Sequence, residues 1–242
     1  NEQGRGAPKV YTPLPDRIIH LTTTIKKWVE LARTPRKDRR IAILMYQSRP
    51  DSGRIGGAAG LDTIQSVRDM LERYRDLGYT VDHVPATSRE LIDEILDNIT
   101  NDLEWSSEAR VREKAADMVS MDEYLPEYGS LSEFNRKAME ESWGKAPGEV
   151  SVQDGRFVIP GIVNGNIYIG YQPLRSWADQ MEAVYHDPVV PMPHQYLAFY
   201  RWLRNDFGTN AVIHVGTHGT LEWLPGRSVG LSRKCFPDLV LD

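Results

Sequence analysis

Three side chains near the C-terminal end of the chain have the types and spacing to handle a metal ion or a proton. His214, His218 and Glu222 recur every four residues within AVIHVGTHGTLEWLPG, residues 211–226. Two imidazoles and a carboxylate can hold a divalent transition metal. The same set can move protons near neutral pH. On a helix, spacing of four would place all three on one face. Gly216 and Gly219 argue against a helix through His218. The segment reads instead as an apolar strand, residues 210–215, that breaks at Gly216 into a turn closed by Pro225 and Gly226. In α/β proteins such strand ends are where sites are built. His214, inside the strand, is then either a core or supporting histidine or a ligand. His218 and Glu222, on the turn, are either functional groups or solvated loop positions.

The elements that must position this turn can be read outward from it. A helix over 194–207, opened by Pro193 and ended by Gly208, precedes the strand. Before it lies a long Pro-containing loop, 174–193, and before that a strand over 166–171 stopped by Pro173. Residues 149–159 suggest a hairpin about Gln153, Asp154 and Gly155. Further upstream, the continuous apolar run 41–46 suits a buried parallel strand. A helix over 62–77, a strand over 79–84 and a helix from Ser88 to Leu103 follow it. Residues 20–32 have helical spacing, and 33–40 form a basic linker. The expected fold is α/β, a mostly parallel sheet with flanking helices, an acidic helical insertion and a hairpin. Four segments are expected: 1–38, an N-terminal helix and linker; 39–105, a first α/β unit; 106–150, the acidic insertion; and 151–242, a second α/β unit carrying the His/Glu turn.

The stretch 102–149 holds twelve acids against six bases, and this excess predicts an exposed lid or insertion rather than core. If strands 166–171 and 211–215 are neighbours, their loops open at one sheet edge. That would bring His186, His194, Glu182 and Asp187 toward the 214–222 turn. His194, at a helix start, could equally cap or pack.

Composition bounds the rest. The 242 residues are 40% hydrophobic and 26% charged, with a net charge of −5; this suits a globular protein and gives no basic surface for nucleic acid. No run reaches the ~18 apolar residues that span a bilayer, so no membrane span is expected. A single cysteine, Cys235, excludes an internal disulfide and suits the reducing cytoplasm. Without a cysteine partner it is expected to be a buried structural thiol. The Gly-rich stretch 54–60 has neither a P-loop ending nor a dinucleotide fingerprint. It is a tight turn or an anion cradle, and ATP hydrolysis on this chain is not expected.

The blocks HVGTHGTLEWLPG (214–226) and VGLSRKCFPD (229–238) resemble the large subunit of the cobaltochelatase and magnesium chelatase family. GYQP (170–173), PHQYLAFY (193–200), RIAILMY (40–46) and IGGAAGLD (55–62) look like the same family. The resemblance covers most of 38–105 and 155–242 and is weak between them. Family members are far longer, so it implies a fragment of a large subunit. It also implies an ATP-dependent chelatase, a ligase-type enzyme that inserts a divalent ion into a tetrapyrrole. ATP would be used by separate AAA+ motor subunits rather than bound here. By similarity, Glu222 would be the base or metal-handling carboxylate, and His218 a metal ligand or proton acceptor. His214 would orient them or join the ligand set. LEWLP looks more like the cobalt branch, which implies Co2+, a corrin precursor and cobalamin biosynthesis; Mg2+ into protoporphyrin IX is the alternative. His186, His194, Arg175, Trp223 and Arg227 would contact the substrate: the arginines its carboxylates, unless they are plain surface arginines, and Trp223 its flat face, unless it is core. Two other classes remain open, a non-catalytic tetrapyrrole- or partner-binding scaffold and a metal-dependent hydrolase, the latter lacking an H-E-x-x-H pattern.

Overall fold

The computed structural model describes residues 12–46, 57–58, 60–103, 106–177, 180, 184, 187–216, 219–227 and 229–241. The proposed ligand His218, the candidates His186 and Glu182, and most of the Gly-rich loop lie outside the described residues.

Strand β1 (Ile41–Met45) is buried at every position, as its unbroken apolar run requires of a central parallel strand. After it, among the described residues, the two-residue strands β2 (Gly57–Ala58) and β3 (Leu61–Asp62) pair with each other. Strand β1 is flanked by two parallel strands, β8 (Ile167–Tyr171) and β9 (Ala211–Val215), in the register Leu44 to Gly170 and Leu44 to His214. Strand β7 (Ile162–Asn164) adds antiparallel to β8, giving the order β7-β8-β1-β9. The predicted neighbours 166–171 and 211–215 are therefore separated by β1, although both still end at the same edge. Alternation of side chains divides the core into two layers. Ile41, Ile43, Met45, Ile167, Ile169 and Tyr171 face helices α2 (Thr63–Asp76) and α3 (Ser88–Asp97). Ala42, Leu44 and Tyr168 face helix α7 (His194–Asn205). Each fully buried Ile or Leu contributes roughly 1.5–3 kcal/mol.

Residues 79–84 are not a strand. Their backbone bonds go elsewhere: Asn164 Oδ1 accepts from Asp82 N at 2.9 Å and His83 N at 3.1 Å, and Asn164 Nδ2 donates to His83 O at 2.8 Å. The β7–β8 hairpin occupies the sheet position that a strand there would need. Helix α3 is capped by Thr87 rather than Ser88 and ends at Asp97, where extended Asn98 breaks it.

The acidic segment is the larger correction. It forms α4 (Glu108–Lys114), β4 (Asp117–Val119), α5 (Met121–Ser130) and α6 (Glu133–Trp143). Tyr124, Tyr128, Leu131 and Met139 are buried in the same cluster as α7. The acids coat the outer faces while the apolar residues complete the core. Strand β4 also pairs with β6 (Arg156–Ile159), which forms the predicted hairpin with β5 (Val152–Gln153). Helix α1 (Pro15–Arg33) buries none of its residues. Arg17 ties it to the body, donating to the buried Asp238 at 2.8 Å. Among the described residues, no helix is long and apolar enough to cross a membrane.

Candidate functional site

The three parallel strands end together, and backbone bonds continue past them. Tyr46 N donates to Val215 O at 3.1 Å, and Gln172 N to Met45 O at 3.0 Å. This places residue 172, the start of the long loop, Gly216 and residues 219–226 on one edge. Gly216 makes the exit from β9, with φ +156° and a Cβ position only 2.6 Å from Tyr46 Cβ. No larger residue fits there without displacement. Residues 221–223 then form a short 3-10 turn that carries Glu222 and Trp223.

His214 lies on an edge strand and is exposed, not buried in the core. Desolvation by the atoms packed about its ring still pushes its pKa below the ordinary histidine value. The imidazole is therefore neutral near pH 7, the state that ligates metal or accepts a proton. Its Nε2 lies 3.3 Å from the Tyr200 hydroxyl. Glu222 is exposed on the turn, and Trp223 is half-buried beside it.

The other sequence candidates separate. His194 is buried against Tyr124, 70 residues away in sequence: the hydroxyl lies 2.8 Å from Nδ1, and Nε2 lies 3.0 Å from Gly144 O. A carbonyl can only accept, so Nε2 carries the proton and Nδ1 accepts from Tyr124. Both ring nitrogens are used in packing, and burial lowers the His194 pKa. Arg175 is fully buried, not at the surface. Its Nη2 donates to Asp187 O at 3.0 Å and Val190 O at 2.8 Å, which staples the long loop. Trp143 of α6 also donates to Pro191 O at 2.9 Å and packs its ring 5.0 Å from Trp177. The acidic segment thus holds the loop in place. Arg227 is exposed, and its backbone N donates to Cys235 Sγ at 3.4 Å. Cys235 is buried as expected. Burial raises its pKa, but hydrogen bonds from Ser232 and Arg227 outweigh that and lower it overall.

Residue reasoning missed the polar cluster beneath the turn. Buried Gln172 accepts from Thr220 N at 2.7 Å through Oε1. Its Nε2 donates to the Tyr196 hydroxyl at 3.1 Å and the Tyr200 hydroxyl at 3.2 Å. Tyr196 in turn lies 2.9 Å from Thr220 Oγ1, and Asn101 Nδ2 donates to Gln172 O at 2.9 Å. Burial pushes the Tyr196 pKa up to about 12 and that of Tyr200 well above normal, so both remain hydroxyls. The available signal was Tyr196 and Tyr200 one turn apart on a helix leading to the site. Among the described residues no group of three His, Cys, Asp or Glu side chains is placed to hold a metal.

The cluster joins GYQP, PHQYLAFY and HGTLEWLPG, blocks that lie far apart in sequence. Over residues 1–242 the sequence matches the family CobN/Magnesium Chelatase. The chain belongs to that family. It is 39% identical over 226 residues to the aerobic cobaltochelatase subunit CobN of Pseudomonas aeruginosa, covering 93% of this chain and 18% of that protein. It is 33% identical over 229 residues to a magnesium-chelatase subunit of Chlorobaculum parvum, covering 93% of this chain and 17% of that protein. The solved catalytic subunit of cobaltochelatase from Mycobacterium tuberculosis superposes with a TM-score of 0.79 at 33% identity, covering 96% of this chain and 19% of that one. The chain therefore spans about a fifth of the length of such relatives. In this CobN/magnesium chelatase segment, the acidic helices that look like an insertion are part of the family match.

Proposed function

We propose that this chain forms the part of a chelatase large subunit at which a divalent metal meets a tetrapyrrole, with Co2+ and a corrin precursor as the pair. The observation that carries the reading is the convergence of three chain segments on the C-terminal edge of the parallel strands. There His214, held neutral, shares an edge with the turn bearing Glu222. Metal insertion replaces two pyrrole N–H protons with a cation. It needs ligands that release a partly desolvated ion and bases that take the protons. A neutral imidazole and a carboxylate supply both functions, and His218, on the same turn in sequence, would complete the ligand set. Glu222 is assigned as proton acceptor or metal-handling carboxylate. Trp223 and Arg227 are its neighbours toward the substrate. Hydrolysis of ATP belongs on this reading to separate AAA+ motor subunits.

The 39% identity to one cobaltochelatase subunit supports cobalt, while a second cobaltochelatase subunit, of Sinorhizobium, and the magnesium-chelatase subunit are both 33% identical. The LEWLP sequence points the same way. Mg2+ insertion into protoporphyrin IX is the second reading, supported by the magnesium-chelatase relative. The test is Glu222→Gln in the full-length protein, assayed for Co2+ insertion with its motor partners. The substitution keeps the shape, replaces one acceptor oxygen by an NH2 donor and removes the charge. Insertion should fall by roughly 100-fold or more, with folding intact. A normal rate would remove Glu222 from the mechanism and favour a binding or scaffolding role.

A further inference from the structure

We propose that Gln172 and Tyr200 are positioning residues for metal insertion, acting through His214, while Tyr196 fixes the turn that carries Glu222. The proposal rests on the reading above. The Gln172 side-chain amide sets the geometry. A backbone N–H can only donate, so the side-chain atom that meets Thr220 N is the amide oxygen. The NH2 group must then face α7, where its two hydrogens meet the two hydroxyls, at 3.1 and 3.2 Å. Both phenol oxygens therefore accept from one amide. Each keeps a hydrogen and a second lone pair for a further partner. For Tyr196 that partner is Thr220 Oγ1, at 2.9 Å. For Tyr200 it is His214 Nε2, at 3.3 Å.

The amide is thus a clamp between two parts of the site. One arm holds the turn at Thr220, two residues before Glu222. The other holds the ring of His214. Gly219 lets the turn lie against the amide: a Cβ there would sit 3.0 Å from Gln172 Oε1. Because a hydroxyl both donates and accepts, Tyr200 can hold His214 in either neutral tautomer. With Nε2 engaged by Tyr200, Nδ1 is the ring atom left for the ion. Metal-ligating histidines generally bind a second partner through the other ring nitrogen, which fixes the ring and tunes its basicity. Tyr200 has the place and chemistry for that task.

The experiment compares Tyr200→Phe, Tyr196→Phe and His214→Ala, singly and in pairs, in the full-length protein with its motor partners. Three quantities are read: Co2+ insertion at saturating tetrapyrrole, tetrapyrrole affinity by absorbance titration, and thermal stability. Phenylalanine keeps the ring and deletes one hydroxyl. Tyr200→Phe should lower turnover roughly 10–100-fold and leave tetrapyrrole affinity unchanged. It should add nothing to His214→Ala, because Tyr200 acts through that ring. Tyr196→Phe, equally buried but bonded to Thr220 and not to His214, should act through the turn and so still lower turnover further in the His214→Ala background. General loosening of the core would instead lower the stability of both tyrosine variants and multiply with His214→Ala in both. Wild-type turnover in Tyr200→Phe, or a loss that multiplies with His214→Ala, would overturn the positioning role. If His214→Ala and Glu222→Gln also insert at the normal rate, the functional reading itself falls and takes the clamp with it.

Discussion

His194 shows how a residue of the right type can belong to the fold instead of the chemistry. Its two ring nitrogens are committed to Tyr124 and Gly144 O, and burial holds the ring neutral. The linkage has a definite sign. In the unfolded chain the imidazole titrates near about 6.5, above its value in the fold. As pH drops below that point the unfolded state takes up a proton that the folded state refuses, so stability is lost until folded His194 also titrates. The urea midpoint should therefore fall between about pH 7.5 and pH 5.5. His194→Gln should flatten that slope whatever it does to the midpoint. An unaltered slope in the variant would contradict the assignment. His214 contributes with the same sign, since its pKa is also lowered. The sequence presented both histidines as candidates. Only long-range packing, 70 residues away at Tyr124 and 50 away at Gly144, separates one from the other.

Elements were legible where their pattern was local. The apolar run of β1, the strands β8 and β9, the hairpin and helix α7 could be placed from periodicity and from Gly and Pro. Two failures have physical causes. Residues 79–84 carry strand-like side chains, but Asn164 takes their backbone bonds and β7 takes their place in the sheet. The acidic segment looked exposed because its charges outnumber its core residues, yet Tyr124, Tyr128 and Met139 lie on the inner faces of its helices. The Gln172 cluster could not be read locally at all, since it joins residues 101, 172, 196, 200, 214 and 220. The junction between β9 and the turn makes a prediction of its own. Gly216→Ala would combine an unfavourable φ with a 2.6 Å approach to Tyr46 Cβ. It should cost about 1–3 kcal/mol, read as a lower denaturant midpoint. An unchanged midpoint would show that the turn leaves the strand by another path.

The central, mostly parallel sheet has helices on both faces, and the C-terminal edge of its parallel strands gathers the residues proposed for chemistry. Segments 39–105 and 151–242, read from the sequence as two α/β units, supply strands to that single sheet. The segment between them packs against α7 and holds the long loop through Trp143. Helix α1, by contrast, exposes Ile18, Ile19, Leu21, Ile25 and Trp28, and its ion pair at Asp238 is on the side of the molecule formed by α5, α7 and the short C-terminal helix Phe236–Val240. The central claim is that tetrapyrrole binds at the strand ends around residues 214–226. The most direct measurement is an absorbance titration with a metal-free corrin precursor and, separately, with protoporphyrin IX, each repeated with His218→Ala/Glu222→Ala. A saturable band shift with the corrin precursor, lost in the double variant, is the expected result. A shift of equal size and affinity in the double variant would place the macrocycle elsewhere and contradict the claim.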